Sequence, residues 1–288
     1  RKQFLQQTIQ RFLDCYVTEM IRIADDGTTG SRNIDLPGNM TAGVLSIEEC
    51  ERLIDAHPSW FGNVQSIIRL SPIQEGMLFH TILQPDALLY YDQISMTLTG
   101  NISPGIFRQA WSFLLERHDM LRTRFIHAGV TRPVQVTLAR VDISNCFEYH
   151  DLDGLDPNQQ EGSFQQERQK DERRGFNPSE DVLIRIRLFR MGTARYRLLI
   201  SNHHLILDGW SAGALFRELT HIYHSLADSR EFELPTLSSY ATYVNWISDN
   251  SGEQQRKYWQ EYLEGYSRPA KLPYTRSPPG GTIAKAHV

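Results

Sequence analysis

The sequence predicts an α+β fold, a mixed sheet flanked by helices. Three observations carry this prediction. Segment 94–100, and 182–191 for most of its length, alternate apolar and polar side chains with the period of a strand, and 195–207 follows the second across a turn as its hairpin partner. Capped amphipathic helices recur before, between and after them. Helices and runs of strands follow one another without the regular strand–helix alternation of a doubly wound parallel sheet. Neither a G-x-G-x-x-G turn nor a phosphate-binding loop is present.

In chain order, Phe4, Leu5, Ile9, Phe12, Leu13, Tyr16, Val17 and Met20 recur at helical spacing, a wide stripe that needs a partner surface. Residues 24–44, "ADDGTTGSRNIDLPGNMTAGV", read as a linker. Ser46 and Glu49 stand at capping-box spacing before a short helix that ends near Pro58. The main domain is expected to start near Ile67. Ser71 before Pro72 caps the next helix, with Ile73, Met77 and His80 or Thr81 along one side. "ISMTLTG" (94–100) is a strand with one buried face. Ser103 and Pro104 open a helix whose Ile106, Phe107, Ala110, Phe113 and Leu114 face inward. "LRTRFIHA" and "RPVQVTLA" read as a hairpin, and "FEYHDL" as a short strand.

Residues 156–178 are polar and charged and read as a solvated helix. "VLIRIRLFRM" and "RYRLLISNHHLIL" flank a Gly192-Thr193 turn, a long hairpin at the centre of the sheet. A helix follows with Leu215, Leu219, Ile222 and Leu226 on one face, then two more over 239–249 and 252–266. From Lys271 the chain is rich in Pro and Gly and reads as loop.

The formal net charge of −4 over 288 residues, with acids and bases interspersed, predicts no preference for nucleic acid or anionic membrane. The apolar runs fall far short of the roughly 20 residues a membrane span needs. Polar residues throughout "RKQFLQQTIQRFL" exclude a secretory core there. The cysteines Cys15, Cys50 and Cys146 are isolated, with no C-x-x-C pair, which fits a reducing cytoplasmic setting.

The stretch "SNHHLILDGWSAG" (201–213) carries the densest chemistry. On a strand, His203 and His204 point to opposite faces. One is then packed and hydrogen-bonded, and the other lines a cavity. A cavity-facing His204 has the basicity to accept a proton at neutral pH and suits transfer between two delivered substrates. Asp208, at the strand end, can either orient the imidazole or pair with an arginine and hold the turn. The plain alternative is that both histidines are core or turn residues. Gly209-Trp210-Ser211-Ala212-Gly213 also matches a serine nucleophile elbow. No acid and histidine follow Ser211 in the order that a hydrolase requires, and Ser211 reads instead as a helix N-cap. H-H-x-x-x-D offers no third ligand, so no metal site is expected.

Two further segments stand out. "RHDMLRTRF" (117–125) packs three arginines, a histidine and an aspartate into nine residues. It reads either as a solvated helix end or as the source of an arginine for a buried carboxylate such as Asp208. "LSPIQEGMLFH" (70–80) reads as a capped amphipathic helix with Gln74 and Glu75 in its first turn.

Together these segments resemble the condensation domains of nonribosomal peptide synthetases. "LSPIQEGMLFH" is similar to the first core motif, "RHDMLRTRF" to the second, R-H-x-x-L-R-T-x-F, and "NHHLILDGWS" to the third, H-H-x-x-x-D-G-W-S. The resemblance implies a chloramphenicol-acetyltransferase-like lobe, one of two that form a V around a tunnel. It implies peptide-bond formation, the acceptor's α-amine attacking the donor thioester. Both substrates would arrive on the 4′-phosphopantetheine of donor and acceptor carrier domains, with no cofactor bound directly by the lobe. Other implied partners are a neighbouring adenylation domain and the lobe's own C-terminal counterpart.

By the same resemblance His204 is catalytic, as base or as orienter of the amine, and Gly209 gives close approach and a backbone N–H. His203, Asp208, Arg117 and Arg122 are structural, with Asp208 expected to pair with Arg122. Ser71, Gln74, Met77, His80, Trp210 and Ser211 are candidates for lining the tunnel.

The expected organisation is a helix resembling the end of an upstream synthetase domain over 1–23, a linker with a short helix over 24–66, the N-terminal lobe over 67–270, and a loop tail over 271–288. The second lobe is expected to be absent and the isolated fragment inactive. Competing readings are epimerisation on the same fold and a non-catalytic docking platform. The ending of "SPIQEGMLFH" favours condensation, and His204, Asp208 and Gly209 speak against a platform.

Overall fold

A computed structural model describes residues 17, 44–60, 62–250 and 252–267. Apart from Val17, the expected N-terminal helix lies outside the described residues, as do residues 24–43 of the expected linker and the tail. Those described fall into two compact units, one ending at Val244 and one beginning at Asn245.

The first unit holds two sheets. Helix α1 (Ile47–Ala56) opens with the Ser46–Glu49 capping box expected from the sequence. Strand β1 (Val64–Arg69) follows, then α2 (Pro72–Leu83), β2 (Tyr91–Thr99) and α3 (Pro104–Arg117). Next come β3 (Thr123–Ile126), β4 (Val134–Leu138), β5 (Phe147–Asp151), α4 (Pro157–Arg174), β6 (Ile184–Gly192), β7 (Arg195–His203) and α5 (Gly209–Ala227). Helix α6 (Tyr240–Asn250) spans the division, and α7 (Glu253–Tyr262) lies in the second unit. On α7, Tyr258 stacks on Tyr262 with ring centroids 5.8 Å apart.

The smaller sheet has the order β1–β4–β3, all antiparallel. Leu53, Trp60, Ile67, Ile126, Val134, Val136 and Leu138 form its core. Strand β1 runs across the expected linker boundary at residues 66 and 67. "VQSIIR" sets two isoleucines side by side, and only Ile67 is buried, so no clean alternation announces the strand.

The larger sheet has the order β2–β7–β6–β5. The β6–β7 hairpin lies at its centre as expected, and β5 runs parallel to β6, which makes the sheet mixed. Ile184, Ile186 and Leu188 of β6, with Leu198 and Ile200 of β7, face α3 and α5. There they join Phe107, Ala110, Trp111, Leu114, Leu215, Leu219 and Ile222 in the main core. Alternation sends Arg185, Arg187 and Leu199 to the opposite face, under α4.

Helix α4 is therefore not the solvated helix that its composition suggests. Phe164 is fully buried against Phe189, Met191 and Leu199. Asp171, 1% exposed, receives Arg185 Nε, lies 2.7 Å from Arg187 Nη1, and is 3.0 Å from the Tyr91 hydroxyl. Burial pushes the Asp171 carboxyl up, but the Arg185 guanidinium, the Ser201 hydroxyl and the Arg187 guanidinium together outweigh it and hold the carboxyl below its usual range. Gly175, with a φ of 57°, ends α4 and directs its carbonyl to Arg185 Nη2 at 2.8 Å. Among the described residues no helix is long and apolar enough to cross a membrane.

Asp171 balances two buried guanidinium groups at once. Asp171→Ala should lower stability by about 3–5 kcal/mol in urea unfolding, the range for a broken buried ion pair. A loss below about 1 kcal/mol would contradict the anchoring role given to this carboxylate.

Candidate active site

Strand β7 ends at His203, not at Leu207, because residues 204–206 form a turn. The last ladder contact passes from the His204 N–H to the Tyr90 carbonyl, at 2.8 Å. From there the chain turns into α5.

The two histidines part company at this point. His203 is 2% exposed. Its Nδ1 accepts the Leu205 N–H at 3.1 Å, and its Nε2 lies 3.2 Å from Thr81 Oγ1. The Thr81 hydroxyl donates to the Met77 carbonyl at 2.9 Å. With Nδ1 accepting and the threonine proton already engaged, Nε2 carries the ring proton. Burial, with the neighbouring His204 adding to it, lowers the His203 pKa to about 4. His203 is a neutral structural imidazole, as the strand pattern predicts for one of the pair.

The His204 side chain is 35% exposed, and its Nδ1 meets the Asp92 Oδ2 directly. Asp92 lies on β2, and strand register explains the meeting. Tyr91 stands opposite His203 and Asp92 opposite Asn202, so Asp92 is the diagonal same-face neighbour of residue 204. The sequence signal, an acid in "LYYDQISM", acquires meaning only once β2 is paired with β7.

Asp208 does not pair with Arg122. Its backbone is the N-cap of α5, and its Oδ1 accepts the Ser211 N–H at 2.8 Å. Ser211 Oγ accepts the Asp208 N–H at 2.9 Å in return. The Ser211 hydroxyl and N–H hold the Asp208 carboxyl below its usual range. Ser211 is thus the third residue of the helix and not its cap.

Arg122 is buried elsewhere. It donates to the carbonyls of Leu115 at 2.6 Å, Glu116 at 3.1 Å, Ala139 at 3.0 Å and Leu138, and to Gln65 Oε1 and Asp119 Oδ1, both at 2.8 Å. It ties the end of α3 to the small sheet. Arg117 and His118 make the link from this segment to α5. Arg117 Nε lies 3.0 Å, and His118 Nε2 2.7 Å, from Glu218 Oε2. Sequence reasoning missed Glu218, an ordinary acid within "LFRELTHIY".

The residues expected to line a tunnel divide. Ser71 and Gln74 are 4% exposed and serve the fold. They form the capping box of α2, and Gln74 Nε2 donates to the Leu205 carbonyl at 3.1 Å. Met77 packs on the main core. His80 and Ser211 are exposed, and Trp210 is 91% exposed. Gly209 begins α5 with ordinary backbone angles, and a Cβ there would meet open space. A cavity of about 340 Å³ reaches His203 from the other side of the sheet, lined by Thr81, Gln84, Leu88, Tyr91, Arg173 and Phe176 among others. Glu148, His150 and Glu167 lie close enough together to suggest metal ligands. The Arg187 guanidinium already stands 3.0 Å from Glu148 and 3.8 Å from Glu167.

The family model of the condensation domain matches residues 64–288. A plipastatin synthase subunit of Bacillus subtilis (strain 168) is 35% identical over 218 residues, 76% of this chain and 6% of that protein. Surfactin synthase subunit 3 of the same organism is 34% identical over 203 residues, 70% of this chain and 16% of that protein. The chain therefore spans a small part of the curated relatives it matches. Among solved structures, the starter condensation domain of rhizomide synthetase RzmA aligns with a TM-score of 0.60 at 17% identity, over 72% of this chain and 51% of that one. The first condensation domain of the CDA synthetase gives 0.60 at 17%, over 71% and 52%.

If Asp208 only caps α5 and Arg122 only braces α3, their effects on stability add. Asp208→Ala should cost about 1 kcal/mol, Arg122→Ala several times that, and the double variant their sum within about 0.5 kcal/mol. A coupling above about 1 kcal/mol in a denaturation cycle would restore the ion pair.

Proposed function

Because this chain belongs to the condensation-domain family, we propose that it joins a donor acyl or peptidyl thioester to an acceptor aminoacyl amine, forming a peptide bond. The observation that carries this reading is the presentation of His204. Its imidazole is partly open to solvent, held at Nδ1, and placed just before the N-terminus of α5.

His204 Nε2 meets the acceptor's α-amine and orients its lone pair toward the thioester carbonyl. The new C–N bond forms, the C–S bond breaks, and the proton lost by the amine passes by way of Nε2 to the departing sulfur. The opening N–H groups of α5, at the positive end of that helix, favour the negative charge that develops on the carbonyl oxygen. Gly209 leaves space for the substrate at this point. Holding both chains in register supplies a large part of the rate enhancement.

The reading carries its partners with it. Donor and acceptor carrier domains deliver the thioesters on 4′-phosphopantetheine, and an adenylation domain loads the acceptor. A second lobe completes the walls, in keeping with solved neighbours of which this chain covers about half, 51% and 52%. Trp210, His80 and Ser211 face the space to be enclosed, and without that second lobe the chain does not condense. A cytoplasmic setting agrees with the buried free thiols of Cys50 and Cys146.

His204→Ala in the domain with both lobes should leave folding intact and lower dipeptidyl transfer between loaded carriers by about 10²–10⁴-fold. Unchanged transfer, followed by mass spectrometry of the acceptor carrier, would refute the role.

A further inference from the structure

We propose that Asp92 is a positioning residue for His204, the carboxylate that fixes its ring orientation and keeps its proton on Nδ1. The proposal rests on the reading of His204 as the group that meets the amine.

The contact between His204 Nδ1 and Asp92 Oδ2 is direct, and both side chains are only partly covered, at 35% and 44% exposure. Two constraints, one on the backbone and one through a side chain, make it more than a chance pairing of surface charges. The His204 N–H is tied to the Tyr90 carbonyl at 2.8 Å, which sets the height of the ring beside β2. Tyr91, between Tyr90 and Asp92, is anchored on the opposite face by Asp171 at 3.0 Å and Ser201 at 3.1 Å. Alternation along β2 then aims Asp92 at the histidine's face. The anchored neighbours fix where Asp92 stands, so its carboxylate needs little ordering to meet the ring.

The chemical consequence is specific. An ionised carboxylate only accepts, so the ring nitrogen facing it carries the proton. Nε2 is left with its lone pair free for the amine. When Nε2 takes a proton, Asp92 faces the resulting imidazolium and stabilises it, and the carboxylate itself stays unprotonated. An asparagine in its place can turn its NH₂ toward Nδ1, which moves the ring proton to Nε2 and blocks the amine.

The test combines turnover with a direct reading of the tautomer in the domain with both lobes. In the wild-type protein at neutral pH, ¹⁵N–¹H correlation of His204 should show the proton on Nδ1. Asp92→Asn should move it to Nε2 and lower kcat by about 10²-fold or more, with KM changed less than a few-fold and the melting temperature kept. Asp92→Glu should restore part of kcat, because a carboxylate again faces Nδ1. A wild-type ring protonated on Nε2, or Asp92→Asn with normal turnover beside an inactive His204→Ala, would overturn the role of Asp92 alone. Normal turnover in His204→Ala would overturn the underlying reading and the proposal together.

Discussion

The arrangement of the site depends on one buried, neutral imidazole. His203 closes strand β7, and its Nδ1 takes the N–H of Leu205, a donor that the turn would otherwise leave unpaired in the interior. Its Nε2 is fastened to Thr81. The adjoining carbonyl of Leu205 is held by Gln74. Helix α2 thus grips the turn at two points, and the turn is what carries His204 past the end of the strand. A charged His203 would lose its acceptor nitrogen and carry an unpaired charge in the core, so burial and hydrogen bonding agree on the neutral form.

The other motif segments act around this grip in a division of labour. Arg117 and His118 hold Glu218, about two and a half turns along the helix that the stretch 201–213 begins. Arg122 secures the end of α3 against the smaller sheet. Asp208 and Ser211 start α5 by reciprocal capping. None of these side chains needs to touch a substrate. They place one imidazole, one carboxylate and one helix N-terminus at the same edge of the larger sheet.

Local signals in the sequence are legible, and long-range pairings are not. The capping box at Ser46, the N-cap at Ser71, the central hairpin and most of the apolar faces of α3 and α5 follow from short spacings, although Phe113, expected to face inward on α3, is 38% exposed. The separation of His203 from His204 is expected from strand alternation, but the structure makes it at the strand end, where His203 closes β7 and His204 opens the turn. The contact between His204 and Asp92 joins residues 112 apart and depends on the β2–β7 register. The parallel direction of β5 and the burial of Asp171 under α4 depend likewise on tertiary packing. Asp208 misleads because a carboxylate three residues before a serine is satisfied within its own turn and has no need of a distant arginine. Ser71 and Gln74 mislead as tunnel residues because membership of a motif does not distinguish a lining side chain from one that braces the turn behind it.

The central claim is that adjacent histidines have opposite duties because one of them is locked neutral. Site-resolved ¹⁵N chemical shifts of His203, followed from pH 7.5 to pH 5, test it most directly. The account predicts a ring protonated on Nε2 whose shifts stay flat over this range, since its pKa lies at about 4. A ring that titrates near the ordinary histidine value of about 6.5, or that carries its proton on Nδ1, would contradict it.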